Sequence, residues 1–153
     1  MMAGMSEINR RDFGAALALV GALGGRVRAQ EPVAGGGTLG ASKVFTPELK
    51  KMPNGSERWA GLDGTLATGE AVSMHESVVP AGTPKTAVHT IKHSELVVVV
   101  EGTLNFEHDG VVDKIPAGSV AYVAYGTSHL MWNPGAATAR YFVLQMGGDT
   151  KKA

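Results

Sequence analysis

The stretch His89-Thr-Ile-Lys-His93-Ser-Glu95 is followed by six residues and Gly102; a second stretch runs from Gly118 through Gly126-Thr-Ser-His129 to Asn133. Residues 89, 91, 93 and 95 share parity. On a continuous extended segment His89, Ile91, His93 and Glu95 therefore point to one face, and Lys92 and Ser94 to the other. Two imidazoles and a carboxylate converge there. His129 is far along the chain, but it sits beside a glycine turn and before an apolar pair, where a neighbouring strand could bring it opposite. Three nitrogens and one oxygen suit iron, manganese, nickel, zinc or copper and leave room on an octahedral ion. Metal catalysis requires such an open position. Exposed alternating strand positions explain His89, His93 and Glu95 almost as well, so spacing alone leaves both readings open.

The surrounding sequence has the period of strands. Ala71 to Val79 alternates, Ala87 to Ile91 is short, Leu96 to Val100 is an unbroken apolar run, and Thr103 to His108 alternates again. Turn signals separate them: Pro80-Ala81-Gly82, Glu101-Gly102, Pro116-Ala117-Gly118, Tyr125-Gly126 and Asn133-Pro134-Gly135. Asp109-Gly110 between alternating runs predicts a hairpin. A last strand over Ala137 to Met146 brings the count to roughly eight to ten short strands, the spacing of a sandwich or barrel. Upstream, Thr46-Pro47-Glu48-Leu49 predicts the start of a short helix, with a capping hydroxyl and a proline in the first turn. Gly35-Gly36-Gly37 reads as a linker, and Gly147 to Ala153 as a frayed polar end.

The whole chain sets limits. Its 153 residues, 44% of them hydrophobic, fit one domain with one core. There are no cysteines, so disulfides and thiolate metal sites are excluded and any metal must use nitrogen and oxygen. A formal charge of zero gives no reason to expect nucleic acid or an anionic membrane as partner. No nucleophile motif, phosphate-cradling loop or dinucleotide fingerprint is present.

Asn9-Arg10-Arg11-Asp12-Phe13 precedes a short apolar run from Gly14 to Gly25. This looks like a twin-arginine export signal covering residues 1–29, with the cut placed after Ala29. The run is too short to cross a hydrocarbon core, which takes about 20 residues, so no permanent membrane anchor is expected. The alternative is an N-terminal helix that stays on the protein, against which stands the lack of a polar face with helical period. Removing residues 1–29 leaves ten basic and twelve acidic residues. The expected location is the periplasm or the exterior, and a twin-arginine route implies folding and metal loading before export.

Taken together, the two glycine-punctuated stretches resemble the paired signature of the cupin barrel. Gly82, His89, Glu95, Gly102, Gly118, Gly126, His129 and Asn133 stand at its positions, from about Pro80 to Asn133. The resemblance implies an all-β fold, a cupin-type double-stranded β-helix barrel of jelly-roll kind. The organisation expected is a signal over 1–29, a linker with an N-terminal strand or short helix over 30–64, the barrel over 65–147 and a tail over 148–153. The resemblance also implies a divalent transition metal on His89, Glu95 and His129. Two positions depart from the pattern: Ile91 stands where a second histidine is expected, and Ala124 where proline is usual. His93, of the same parity as Ile91, is read as the replacement ligand or as a general acid or base.

Other candidate positions are less telling. His75 and His108 read as ordinary polar strand or turn residues. Met74, Met131, Phe106, Tyr122, Tyr141 and Trp132 could line a cavity but also suit plain barrel core. Parity does not settle where Glu76 points. The expected function is binding of a metal and a small polar or carboxylated molecule, with oxygenase, isomerase or lyase chemistry in view; the alternative is a non-catalytic module that binds or senses a small ligand without metal, which Ile91 favours. Fold alone cannot choose between them. The helix-turn-helix segment of DNA-reading cupins has no counterpart here. A homodimer is expected, with Ser42 to Phe45 as the segment that could pair.

Overall fold

The computed structural model describes residues 37–150. Ten strands follow in order: β1 (Lys50–Lys51), β2 (Glu57–Thr65), β3 (Ala71–Val79), β4 (His89–Thr90), β5 (Ser94–Glu101), β6 (Thr103–His108), β7 (Val111–Pro116), β8 (Val120–Val123), β9 (Ser128–Trp132) and β10 (Ala139–Met146). One sheet has the order β1-β2-β3-β10-β5-β8 and the other β4-β9-β6-β7. Neighbours within each sheet are antiparallel, and no helix occurs among the described residues. This is the double-stranded β-helix barrel that the resemblance implied.

Strand by strand, side-chain alternation accounts for the two layers. In β5 Val97 and Val99 are fully buried while Val98 and Val100 are exposed, so the apolar run serves two faces. Val97 and Val99 meet Leu104 and Phe106 of β6, Ile115 of β7 and Val143 of β10 in one core between the sheets. The predicted Asp109-Gly110 hairpin joins β6 to β7, with His108 opposite Val111 and positive φ at both turn residues (49° and 80°). Asn133, fully buried, pins the far end: its Nδ2 lies within 3.1 Å of the carbonyls of Val79, Pro80 and Ala137, and its Oδ1 accepts from Gly135 N–H. The asparagine of the second motif is thus a structural latch.

Two expectations need correction. Thr46 to Leu49 is irregular and not helical, and the chain passes directly into β1. One capped turn is too short to offset the cost of helix nucleation, whereas Lys50 and Lys51 gain ladder bonds opposite Arg58 and Glu57. The sheet also begins ahead of Thr65, because β2 already pairs with β3 from Glu57. A register shift between Ala60 and Leu62 interrupts the alternation there, which hides the strand's period in the sequence. Ser42 to Phe45 forms no strand within the described residues.

Gly102 turns the chain from β5 into β6 at φ +71°, and a Cβ there would collide with the carbonyl of Thr138. Gly102→Ala is expected to lower unfolding stability by about 1–3 kcal/mol, from strain at positive φ and overpacking together. Urea denaturation of the two proteins measures it, and equal midpoints would refute the steric reading.

Candidate functional site: a polar cavity inside the barrel

Antiparallel register brings the first two site residues together. His89 of β4 is paired directly with His129 of β9, and their ring centroids are 4.5 Å apart. Thr90 and Ser128, the next pair, join through their hydroxyls at 2.5 Å. His89 does not continue to Glu95 on one straight strand, as parity supposed. After Thr90 the chain leaves the four-stranded sheet, bends at Lys92 and His93, and enters the six-stranded sheet at Ser94. Ile91, 4% exposed, packs into the core at this crossing. All four expected site residues nevertheless face one cavity of about 430 Å³.

Glu95 is the hub of that cavity. Its Oε1 accepts from Gln145 Nε2 at 2.9 Å and meets His93 Nε2 at 2.8 Å, while Oε2 lies 3.5 Å from His129 Nε2. Gln145 is oriented in turn by Ser73, whose hydroxyl donates to Oε1 at 2.7 Å. Burial works to raise the Glu95 pKa, but the bonds from His129, Gln145 and His93 outweigh it and hold the carboxyl down at about 2.

His93 has a second carboxylate on its other side. Its Nδ1 is 2.6 Å from Asp149 Oδ1. Burial opposes charge on the ring, yet the hydrogen bonds to Asp149 and Glu95 prevail and raise its pKa. Ionised carboxylates only accept, so each ring nitrogen placed against one carries its proton. Asp149 corrects the picture of a frayed end. Asp149 N–H donates to the Lys92 carbonyl, Gly147 N–H donates to the Ala71 carbonyl, and Thr150 is buried. Gly148, at φ +58°, lies so close to Lys92 that a Cβ would strike its carbonyl oxygen. Nothing in the local sequence marks this turn as part of a site.

The cavity holds two further residues, one read from the sequence as an ordinary polar strand or turn residue and one passed over there. His75 of β3 lines it, so four of the five histidines do. Burial first, and the nearby charge of Arg58 second, lower the His75 pKa to about 4. Arg58 of β2 lines the cavity too and is exposed. His89 is also lowered, by burial and then by His129. Of the candidate apolar lining, Met131 and Tyr141 face the cavity; Phe106 belongs to the core, Tyr122 is exposed, and Trp132 lies under the ammonium of Lys85. Glu76 is buried away from the cavity lining and ion-paired with Arg140. His108 is a surface residue, stacked on Phe106 and bonded to Asp113 at 2.9 Å, in line with the reading of it as polar strand.

Does this donor set suit a divalent metal? Among the described residues no group of three or more His, Asp or Glu side chains is gathered, as it stands, around one ion position. The chemistry of three of them does fit. His129 is 1% exposed, its Nδ1 has no hydrogen-bond partner and its Nε2 has only the long contact to Glu95. Leaving a buried imidazole so poorly satisfied costs about 1–3 kcal/mol, which an ion or ligand atom beside it removes. His93 fits less well, because a ring held by two carboxylates has no free lone pair for a metal.

Comparison with known proteins agrees with the fold. Residues 75–145 match the family model of the cupin domain. Among solved structures, an RmlC-like cupin from Methanocaldococcus jannaschii is similar at 15% identity and TM-score 0.55, covering 70% of this chain and 94% of that one. An RmlC-like cupin from Shewanella frigidimarina is similar at 19% identity and TM-score 0.55, over 69% and 91% of the two chains. A protein from Thermotoga maritima described as a predicted oxalate decarboxylase has 19% identity, TM-score 0.51 and coverage of 66% and 91%. No curated protein matches the chain. The fold is thus that of the cupins, and at these identities the likeness speaks for fold alone.

The His75 pKa gives a test of the electrostatics. With a folded value of about 4 against 6.5 for the free side chain, the unfolded chain takes up a proton in that window and the folded one does not. Stability therefore rises with pH between the two values and falls on acidification. Between pH 7 and pH 5 the loss from His75 alone is about 2 kcal/mol. Urea midpoints at the two pH values should differ less in His75→Asn than in wild type; an unchanged difference would mean that His75 titrates normally.

Proposed function

We propose that this protein is an exported cupin that binds a divalent metal and a small polar or carboxylated molecule in its barrel. The observation that carries the reading is the buried, under-satisfied imidazole of His129, paired across the ladder with His89 and facing the Glu95 carboxylate. His89, Glu95 and His129 are the proposed ligands, with nitrogen and oxygen donors suited to iron, manganese, nickel, zinc or copper. Bound there, the metal supplies Lewis acidity or oxygen activation, the chemistry of an oxygenase, isomerase or lyase. Asp149 and Glu95 fix the orientation of His93 at the cavity wall and favour its charged ring, which in turn holds the Glu95 carboxylate in place. Gln145 and Ser73 keep the Glu95 carboxylate aimed inward.

A second reading rests on Ile91. Where the family signature has a second histidine, this chain has an apolar side chain sealed into the core. That substitution favours a barrel that binds a small ligand without metal or catalysis. Export rests on the Arg10-Arg11 pattern and the apolar run behind it, which lie outside the described residues. For a second copy of the chain as partner, the supporting feature is the outer face of β5 and the edge strand β8, where Val98, Val120 and Tyr122 stand exposed side by side.

Elemental analysis of the mature protein separates the readings. About one equivalent of metal is expected in wild type and His93→Ala, with most of it lost in His89→Ala and His129→Ala. Metal well below one equivalent in all four proteins would sink the metal reading and leave the metal-free module. Sedimentation should show a dimer in wild type and a monomer in Val120→Glu; a monomeric wild type removes the proposed partner.

A further inference from the structure

The register of the six-stranded sheet lays out the cavity floor in transverse rows. Arg58, Ser77, Tyr141 and Val99 form one row across β2, β3, β10 and β5. Ala60, His75, Val143 and Val97 form the next, and Ser73, Gln145 and Glu95 the third. Paired residues share a face, so these rows are stacked along the cavity. The first and third are four residues apart along the strands, roughly 13–14 Å. The two ends differ in charge. Both acids that line the cavity, Glu95 and Asp149, are at the far end, already bonded to His93 and Gln145.

Arg58 is at the other end, and it takes part in no ion pair among the described residues. Its neighbours in the cavity are neutral at ordinary pH. Burial and the Arg58 charge keep His75 unprotonated, and burial raises the pKa of the Tyr141 hydroxyl. On the middle row Val143 stands beside His75, and Ile91 and Met131 also line the cavity. A guanidinium on the cavity wall with no ion-pair partner among the described residues presents a planar fork of donors matched to a carboxylate.

We propose that Arg58, with His75 and Tyr141 beside it, is the carboxylate-recognising end of the cavity, and that the ligand is a small organic acid. Its carboxylate sits on Arg58, its carbon body lies along Val143 and Met131, and its far end reaches His89, Glu95 and His129. One cation balances one carboxylate. A phosphate group, carrying about 1.5–2 negative charges near neutral pH, would find no second cation at this end of the cavity. The inference rests on the reading of the cavity as a ligand site, but it does not depend on the metal.

The test uses ligand-observed NMR on the mature protein with benzoate, succinate and hexanoate, their amides, and inorganic phosphate. At least one acid is expected to bind in the millimolar range or tighter, with its amide and phosphate at least about tenfold weaker. Arg58→Gln should lose that preference by about the same factor, with Arg58→Lys between the two. Arg58 is exposed, so both variants are expected to keep the wild-type thermal transition. Equal binding of acids and amides, equal acid binding by Arg58→Gln, or no binding by any of the three acids overturns the proposal. Metal content measured on Arg58→Gln keeps the two readings apart: unchanged metal with lost acid binding supports the carboxylate end. Acid binding by a wild type that carries metal well below one equivalent as purified refutes only the metal.

Discussion

Three residues carry the chain from one sheet to the other, and the cavity depends on how tightly that crossing is held. Between the end of β4 at Thr90 and the start of β5 at Ser94, the backbone of Ile91 bonds on both sides to the Gly126 turn, through Ile91 N–H to the Thr127 carbonyl and Gly126 N–H to the Ile91 carbonyl. The next carbonyl, of Lys92, accepts from Asp149. The Ile91 side chain fills the core at the same point. His89 and Glu95 are thereby fixed in different sheets and still aimed into one space. An apolar residue in a ligand position costs the site a donor, but here it also anchors the backbone that positions the donors that remain.

Much of this fold was legible before any coordinates. The sequence bounds β6 because its alternation is clear and β3 because the Pro80-Ala81-Gly82 turn closes it, although burial along β3 does not alternate strictly; the Asp109-Gly110 turn allows few other conformations. Residues 57–65 were obscured by the irregularity between Ala60 and Leu62, which breaks the two-residue period that a reader follows. The capped turn at Thr46 was misleading in the opposite way: the helix signal is real, but one turn cannot outcompete a sheet edge within reach.

The site was legible as a set of residues and not as an arrangement. His89, His93, Glu95 and His129 all reach the cavity, yet the reason first given, shared parity on one strand, is not the one that operates. The pairing of His89 with His129 spans forty residues of chain, and no local pattern encodes its register. His75, Arg58 and Asp149 were missed for a related reason. Each is a polar residue whose meaning comes from the strand or carbonyl it ends up beside. The result is a cavity with a cation at one end and two engaged carboxylates at the other, a polarity that net charge conceals.

The position of β10 bears on how the molecule is made. The last of the described strands lies between β3 and β5, near the middle of the larger sheet. Until Ala139–Met146 has been synthesised, β3 and β5 have no common neighbour, and the rows that floor the cavity cannot form. Assembly must therefore wait for contacts between distant parts of the chain, which makes folding slow compared with locally wired proteins of the same size. A nascent chain lacking this strand holds two unfinished sheet edges, each rich in valine, and depends on β10 to close them.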